Sequence, residues 1–371
     1  MKEGDNISGS TYGKIFKIST WGESHNKAIG VVIDGCPAGV EICEDDIQQQ
    51  LNKRKPNNSK YATKRSEDDK VTILSGVFEG KTTGTPISLI VFNKDYISKD
   101  YDNIKDVYRP SHADYTYDQK YGFRDYRGGG RASARETIGR VCAGAIAKKI
   151  LSQLDIHIFA YTSSVGHIKP KNIDLNYINQ NPLKLPCIQA FNEAKTFLDD
   201  ILKKGDSVGG TARCEIVGLK AGIGEPVFEK LDAMLSMAIM SIGATKGVQF
   251  GLGFLASEQT GSIYNDSFFV QDNKVLKKTN NSGGILGGIS DGSNITIDVA
   301  FKPTPSISIK QNTINKNFKN ETIAIKGRHD PFIVPRAIPV IEAMVAITLL
   351  DYILINTTKK IDCVKYAYFN F

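Results

Sequence analysis

The chain has 371 residues, 41% hydrophobic and 23% charged, with a formal net charge of +7. These values suit a folded globular protein and leave out a disordered, collagen-like or acidic-tail chain. Six scattered cysteines with no C-x-x-C pair exclude a zinc finger and point to a reducing, cytoplasmic setting rather than a disulfide scaffold.

In chain order, Met1 to Thr11 is polar and is no signal peptide. Lys14 to Thr20 and Ile29 to Asp34 read as strands around a loop holding Gly22-Glu23-Ser24-His25. Glu44 to Lys53 reads as a short helix opened by acidic residues, and a basic loop follows from Arg54 to Arg65. Val71 to Leu74 and Ile87 to Phe92 alternate as strands do. From Asp95 to Gly130 the chain is rich in Tyr, Asp and Arg without apolar periodicity, so a long functional loop is expected.

Arg135 to Leu151 reads as a helix with many small residues, suited to close packing in a core. Ile156 to Tyr161 and Ala212 to Val217 read as strands, and Glu193 to Lys204 as a helix stopped by Gly205. Pro226 opens a helix through Met240, Gly247 to Leu255 and Asn294 to Phe301 are strands, and Pro335 to Ile355 is the last helix. The run Ala337 to Leu350 is too short for a bilayer span and contains Pro339 and Glu342. Strands and helices do not alternate regularly, which argues for one α+β domain over residues 1–371, with short polar tails, and against a doubly wound fold.

The segment Gly128-Gly129-Gly130-Arg131-Ala132-Ser133-Ala134-Arg135-Glu136 carries the strongest chemical signal. Glycines let backbone approach a ligand, and the S-x-x-E spacing of Ser133 and Glu136 predicts a capped helix start. Such an end favours an anion. A Gly-rich turn before a structural helix is the plain alternative. Of the five histidines, His25, His112 and His329 lie in polar loops among ionisable neighbours, whereas His157 and His167 sit in or beside a strand and read as structural. Arg54, Lys60, Arg109, Arg131, Arg135 and Arg328 offer cations to a substrate with several anionic groups. The chain has no Walker motif, nucleophile elbow or H-E-x-x-H helix, and Gly283 to Gly288 lacks dinucleotide spacing. A nucleic-acid binder is a poor reading, because the Gly-Arg run is not a repeated RGG tract.

Taken together, Gly22 to His25, Val71 to Pro86, Arg109 to Tyr117, Lys120 to Gly122, Gly128 to Thr137, Gly283 to Ser290, Lys302 to Ser306 and Gly327 to Pro331 resemble the chorismate synthase family, in its order, from about residue 10 to 355. The resemblance implies a β-α-β sandwich, helices packed between antiparallel sheets, assembled as a homotetramer. It implies a lyase that eliminates phosphate from 5-enolpyruvylshikimate 3-phosphate and requires reduced FMN without net redox change. An added NADPH-dependent flavin reductase activity is the alternative, and neither nucleic acid nor membrane is an expected partner.

By the same resemblance His25 protonates the leaving phosphate, His112 stands near the flavin, Asp330 helps remove the proton, and Ser24 and Ser133 relay protons. The implied flavin positions are Arg131, Ala132, Ser133, Gly243, Ala244, Gly287, Lys302, Pro303, Thr304, Pro305, Ser306 and Arg328. Those implied for substrate or NADP phosphate are Arg54, Lys60, Arg109, Arg135 and Arg328. Asn26, Ser111, Lys60, Ala132 and Pro305 depart from the family's usual residues, and Lys60 in place of Arg loses a bidentate fork.

Overall fold

A computed structural model describes residues 9–55, 61, 68–94, 105–325 and 330–370. Two antiparallel sheets enclose a layer of helices. The first sheet contains β1 (Thr11–Tyr12), β2 (Lys17–Gly22), β3 (Ala28–Asp34), β4 (Val71–Ser75) and β5 (Ile87–Phe92), in the order β1-β2-β3-β5-β4. The second contains β6 (His157–Val165), β7 (Gly210–Val217), β8 (Thr245–Phe250) and β9 (Ile295–Phe301), in the order β8-β9-β7-β6. Lys17 pairs with Asp34 and Ile33 with Ile87 in the first; Ile295 pairs with Ile216 in the second.

The sequence alternation decides which face of each strand is covered. In β5 Ile87, Leu89 and Val91 are buried, and in β9 Ile295, Ile297, Val299 and Phe301 are buried. Every second residue points away from the core. On the outer face of the second sheet, Arg213 lies opposite Asp298 and the two form an ion pair of 2.6 Å.

The layer between comprises α1 (Glu44–Arg54), α3 (Thr137–Ser152) and α6 (Val334–Asn356), with α5 (Leu231–Met240) at its side; α2 (Asp114–Tyr121), α4 (Ile188–Lys204) and α7 (Ile361–Phe369) complete the longer helices. One cluster of buried residues runs from Ile29 and Val31 through Val141, Ile146, Ile341 and Val345 to Ala212 and Ile297. Each of the valine and isoleucine side chains contributes about 1.5–3 kcal/mol by leaving water. The small residues of α3 allow this: a Cβ on Gly144 would lie 2.3 Å from the Ala343 Cβ of α6.

The 23-residue α6 contains an 18-residue window of mean hydropathy 2.1 and is therefore long and apolar enough to cross a bilayer, contrary to the length argument from sequence. Instead 83% of its most apolar window is buried among protein. Its two buried acids are satisfied. Glu342 receives Lys148 Nζ at 2.6 Å and the Ala160 amide at 3.0 Å; Asp351 accepts the amides of Lys14, Ile15 and Phe16 at 2.7–2.9 Å.

Several sequence expectations need correction. The stretch 95–130 contains α2, whose polar sequence shows no periodicity but is stopped by Gly122 at φ 80°. The helix expected from Pro226 is a 3₁₀ turn, Val227–Glu229, broken before α5 begins at Leu231. The strand expected to reach Leu255 ends at Phe250, because Gly251 and Gly253 take positive φ and Gly253–Glu258 turns into 3₁₀ helix. The C-terminal tail, expected to be polar, forms α7, an exposed helix displaying the aromatic Tyr366, Tyr368 and Phe369.

Candidate active site

A cavity of about 460 Å³ opens between the start of α3, the start of α6 and the ends of β8 and β9. Ile242, Ala244, Ile333, Ala337 and Val340 supply apolar wall. Arg131, Arg140, Lys302 and Arg336 supply positive charge, and His112 and Asp330 stand at its edge.

His112 is held by its own loop and by α2. Its Nδ1 lies 2.9 Å from Asp114 Oδ1, at the first residue of α2. Asp114 in turn accepts Arg109 Nε and NH2, each at 2.7 Å, in a bidentate pair. Burial alone would raise the Asp114 carboxyl, but the Arg109 and His112 hydrogen bonds outweigh it and hold the group well below the usual carboxylate range. An ionised Asp114 assigns the Nδ1 proton to the His112–Asp114 bond and directs Nε2 elsewhere. Arg109 NH2 also comes within 3.1 Å of Nδ1, and it donates to the Gly128 carbonyl at 3.3 Å.

Gly128 connects this triad to His25. His25 is buried, with Nδ1 2.9 Å from Ser24 Oγ. Gly128 has φ 98°, and a Cβ there would come within 2.3 Å of His25 Nδ1. Only glycine fits. Gly128, Gly129, Gly130, Arg131 and His112 line a recess of about 50 Å³. The two imidazoles therefore flank one glycine segment and are not on separate outer faces.

The expected capping box is half formed. Ser133 Oγ accepts the Arg135 amide at 3.3 Å and caps a 3₁₀ turn, Ala134–Glu136, that leads into α3. Glu136 does not reach back to Ser133; it accepts Thr20 Oγ1 at 3.0 Å and Arg140 Nε at 2.9 Å. Arg131 donates to Thr20 Oγ1 at 2.7 Å and to the Gly22 carbonyl at 3.0 Å.

Arg54 and Arg135 share Asp69, at 2.7 and 3.1 Å, and Arg135 also donates to Asn93 Oδ1 at 2.7 Å. Burial, only partly offset by Asp69, pulls the Arg54 guanidinium down to about 10. The Asp69 carboxyl is opposed by burial yet held below its ordinary value by Arg54 and Arg135. These arginines, like Arg109, are thus fastened to carboxylates rather than held out as anion grips. Even so, the buried Arg54 Nε and Arg336 Nε have no hydrogen-bond partner among the described residues.

Across the cavity, Arg336 NH1 pairs with Asp330 Oδ2 at 2.5 Å, and Thr304 Oγ1 donates to the Asp330 carbonyl at 2.9 Å. Lys302 Nζ donates to the Ser111 carbonyl at 2.6 Å, and its ammonium is depressed by burial and by nearby Lys246. Of the sequence-predicted residues, Arg54, His112, Arg131, Ala132, Ser133, Gly243, Ala244, Lys302, Thr304, Pro305 and Asp330 line this cavity. Ser24, His25, Arg109, Arg135, Pro303 and Ser306 do not line it, and Gly287 turns a separate hairpin, Ile285–Leu286 with Ile289–Ser290, at φ 60°. Lys60, Arg328, His329 and most of the basic loop lie outside the described residues. Arg140, Ser241 and Arg336 were missed; the only signal was Arg140 one helical turn from Glu136 and Arg336 in the first turn of the last helix.

Comparison with known proteins gives the family and the fold. The family model described as chorismate synthase matches residues 16–354. The chain is 57% identical over 364 residues to a chorismate synthase of Lachnospira eligens, covering 98% of this chain and 100% of that protein. It is 53% identical over 351 residues to a chorismate synthase of Methanococcoides burtonii, covering 93% and 96%. A solved structure titled "Crystal Structure of Chorismate Synthase" superposes with a TM-score of 0.76 at 30% identity, covering 96% of this chain and 97% of that one. The chain belongs to the chorismate synthase family, a family of carbon–oxygen lyases of aromatic amino acid biosynthesis, and has its fold.

Proposed function

We propose that the 460 Å³ cavity is where this chain eliminates phosphate from 5-enolpyruvylshikimate 3-phosphate to yield chorismate, with reduced FMN bound beside the substrate. The observation that carries the reading is the His112–Asp114–Arg109 triad at the wall of a cavity ringed by Arg131, Arg140, Lys302 and Arg336. A triply anionic guest suits four cations, and the unpartnered Nε atoms of Arg54 and Arg336 still have a hydrogen bond to give.

The residues fit a flavin. The volume falls in the range of about 300–1,000 Å³ usual for small-molecule sites, and apolar Ile242, Ala244, Ile333 and Val340 suit a ring system. Ala132, Gly243, Ala244, Lys302, Thr304 and Pro305 would hold it. When bound, the reduced flavin supplies electron density as the substrate C–O bond breaks.

The chain's own residues do the rest. The Gly128–Arg131 recess, with His112 on its wall, seats the departing phosphate, and His25, packed against Gly128 and set by Ser24, gives it a proton. His112 keeps its Nδ1 proton on Asp114 and presents Nε2. Asp330, fixed by Arg336, takes up the substrate proton. Ser133 Oγ caps the Ala134–Glu136 turn that carries Arg135. A homotetramer in the cytoplasm belongs to the same reading and is carried by the resemblance. The added flavin reductase activity gains no support from the relatives, which are named chorismate synthase alone.

The test is phosphate release from 5-enolpyruvylshikimate 3-phosphate under anaerobic, photoreduced-FMN conditions. His25→Ala and His112→Ala should each lower turnover by about 10²-fold or more with the fold intact. Near-normal turnover in both variants would end the assignment.

A further inference from the structure

The first half of α6 divides two hollows. Ile333, Arg336, Ala337 and Val340 face the candidate active cavity, whereas Pro335, Ile338, Pro339 and Glu342 face a second cavity of about 420 Å³. Both sets follow helical spacing, on opposite sides of one helix. The second hollow is floored by apolar side chains, among them Ile158, Leu175 and Ile178.

Three lysines from three different elements meet there: Lys53 of α1, Lys148 of α3, and Lys184 from the loop before α4. Gln50 Oε1 accepts from both Lys53 and Lys148, at 3.4 Å each. Lys148 is neutralised by Glu342, whose other oxygen is occupied by the Ala160 amide. Lys53, at the exposed rim, and Lys184 form no ion pair among the described residues and share with Lys148 the single carboxylate of Glu342, so the hollow carries a surplus of positive charge. Burial depresses both ammoniums, and Lys53 also feels the repulsion of Lys148 and Lys184.

Lys184 is further marked by its backbone. It takes φ 56°, where a long side chain is strained, and its carbonyl is tied to the Thr162 amide at 3.0 Å. Its Nζ donates to Asn179 Oδ1 at 3.0 Å, leaving two further donors. Strain at a residue that adds like charge to a partly buried cluster marks a binding position more readily than a packing one.

We infer that this second hollow binds a small organic anion, an apolar ring carrying at least two acidic oxygens, with the ring on Ile158, Ile178 and Ile338 and the oxygens between Lys53 and Lys184. The binding is separate from the lyase cavity and independent of the reading given for it. A single aryl dicarboxylate satisfies both cations and fills the apolar floor.

The probe is phthalate, titrated calorimetrically into the full chain. Lys53→Gln/Lys184→Gln should weaken its binding about tenfold or more, while phosphate release and melting temperature stay at wild-type values. Lys302→Gln, in the other cavity, should leave phthalate affinity unchanged. Equal affinity in the lysine double variant, a loss confined to Lys302→Gln, or no binding by the wild-type chain at millimolar phthalate would each overturn the inference.

Discussion

Replacing Asp114 with Asn tests the electrostatic centre of the site. Asp114 is the shared acceptor of Arg109 and His112, and the side chains of Asp114 and Arg109 are only 3% and 6% exposed. Asn keeps one acceptor oxygen but turns an amide towards either the guanidinium or the imidazole. Removing one member of a buried ion pair costs about 3–5 kcal/mol, because the other charge remains out of water. Unfolding entropy for 371 residues is about 0.8 kcal/mol/K, so the melting temperature should fall by about 4–6 °C.

A second effect follows at the imidazole. In the variant the Asn oxygen is taken by the Arg109 guanidinium, which leaves the Asn NH2 and Arg109 NH2, at 3.1 Å, facing His112 Nδ1, so the ring becomes an acceptor there and its tautomer reverses. Differential scanning calorimetry reads the first effect; ¹⁵N shifts of His112 together with phosphate release read the second. A variant that melts within 1 °C of wild type, or that keeps both the tautomer and full turnover, would refute the reasoning.

The interlayer packing and the acid limb can be checked in the same way. Gly144→Ala should destabilise by about 1–3 kcal/mol despite better helix propensity, since its Cβ would meet Ala343 Cα at 2.5 Å; a raised melting temperature would contradict this packing. Asp69 and Asp114 have folded pKa values lowered below their unfolded ones. Their contribution is therefore present above the unfolded value of about 3.9 and is lost as pH falls through the folded values. Thermal melts should show this loss below about pH 4, and the acid slope should flatten in Asp69→Asn/Asp114→Asn; an unaltered slope would exclude both carboxylates as its source.

Strongly patterned elements were readable from sequence, within a few residues at their ends. β5 alternates, and α4 is closed by Gly205 in the left-handed region at φ 69°. What escaped was structure built by contacts distant in sequence. α2 has no apolar stripe and is fixed by polar contacts such as Asp114 to Arg109. For the site, the glycine run and His112 were legible because they are local motifs. The roles of Arg54 and Arg135 were not, because Asp69, the acid that binds them, has no marking in the sequence. Arg336 was hidden for a similar reason: it becomes a cavity residue only when α6 inserts beside α3.

That insertion has a consequence for how the molecule comes to exist. α6 packs its core side chains on β6 and β7 of the second sheet and on α3, and its Asp351 gathers the amides of Lys14, Ile15 and Phe16 near the opposite end of the chain. During synthesis at about 5–20 residues per second, the earlier nine-tenths of the polypeptide must therefore wait on the ribosome without its central beam. Exposed sheet faces in that interval are sticky, and long-range closure is slow. A nascent chain stalled just before Val334 should accordingly depend on chaperones in a way the completed protein does not.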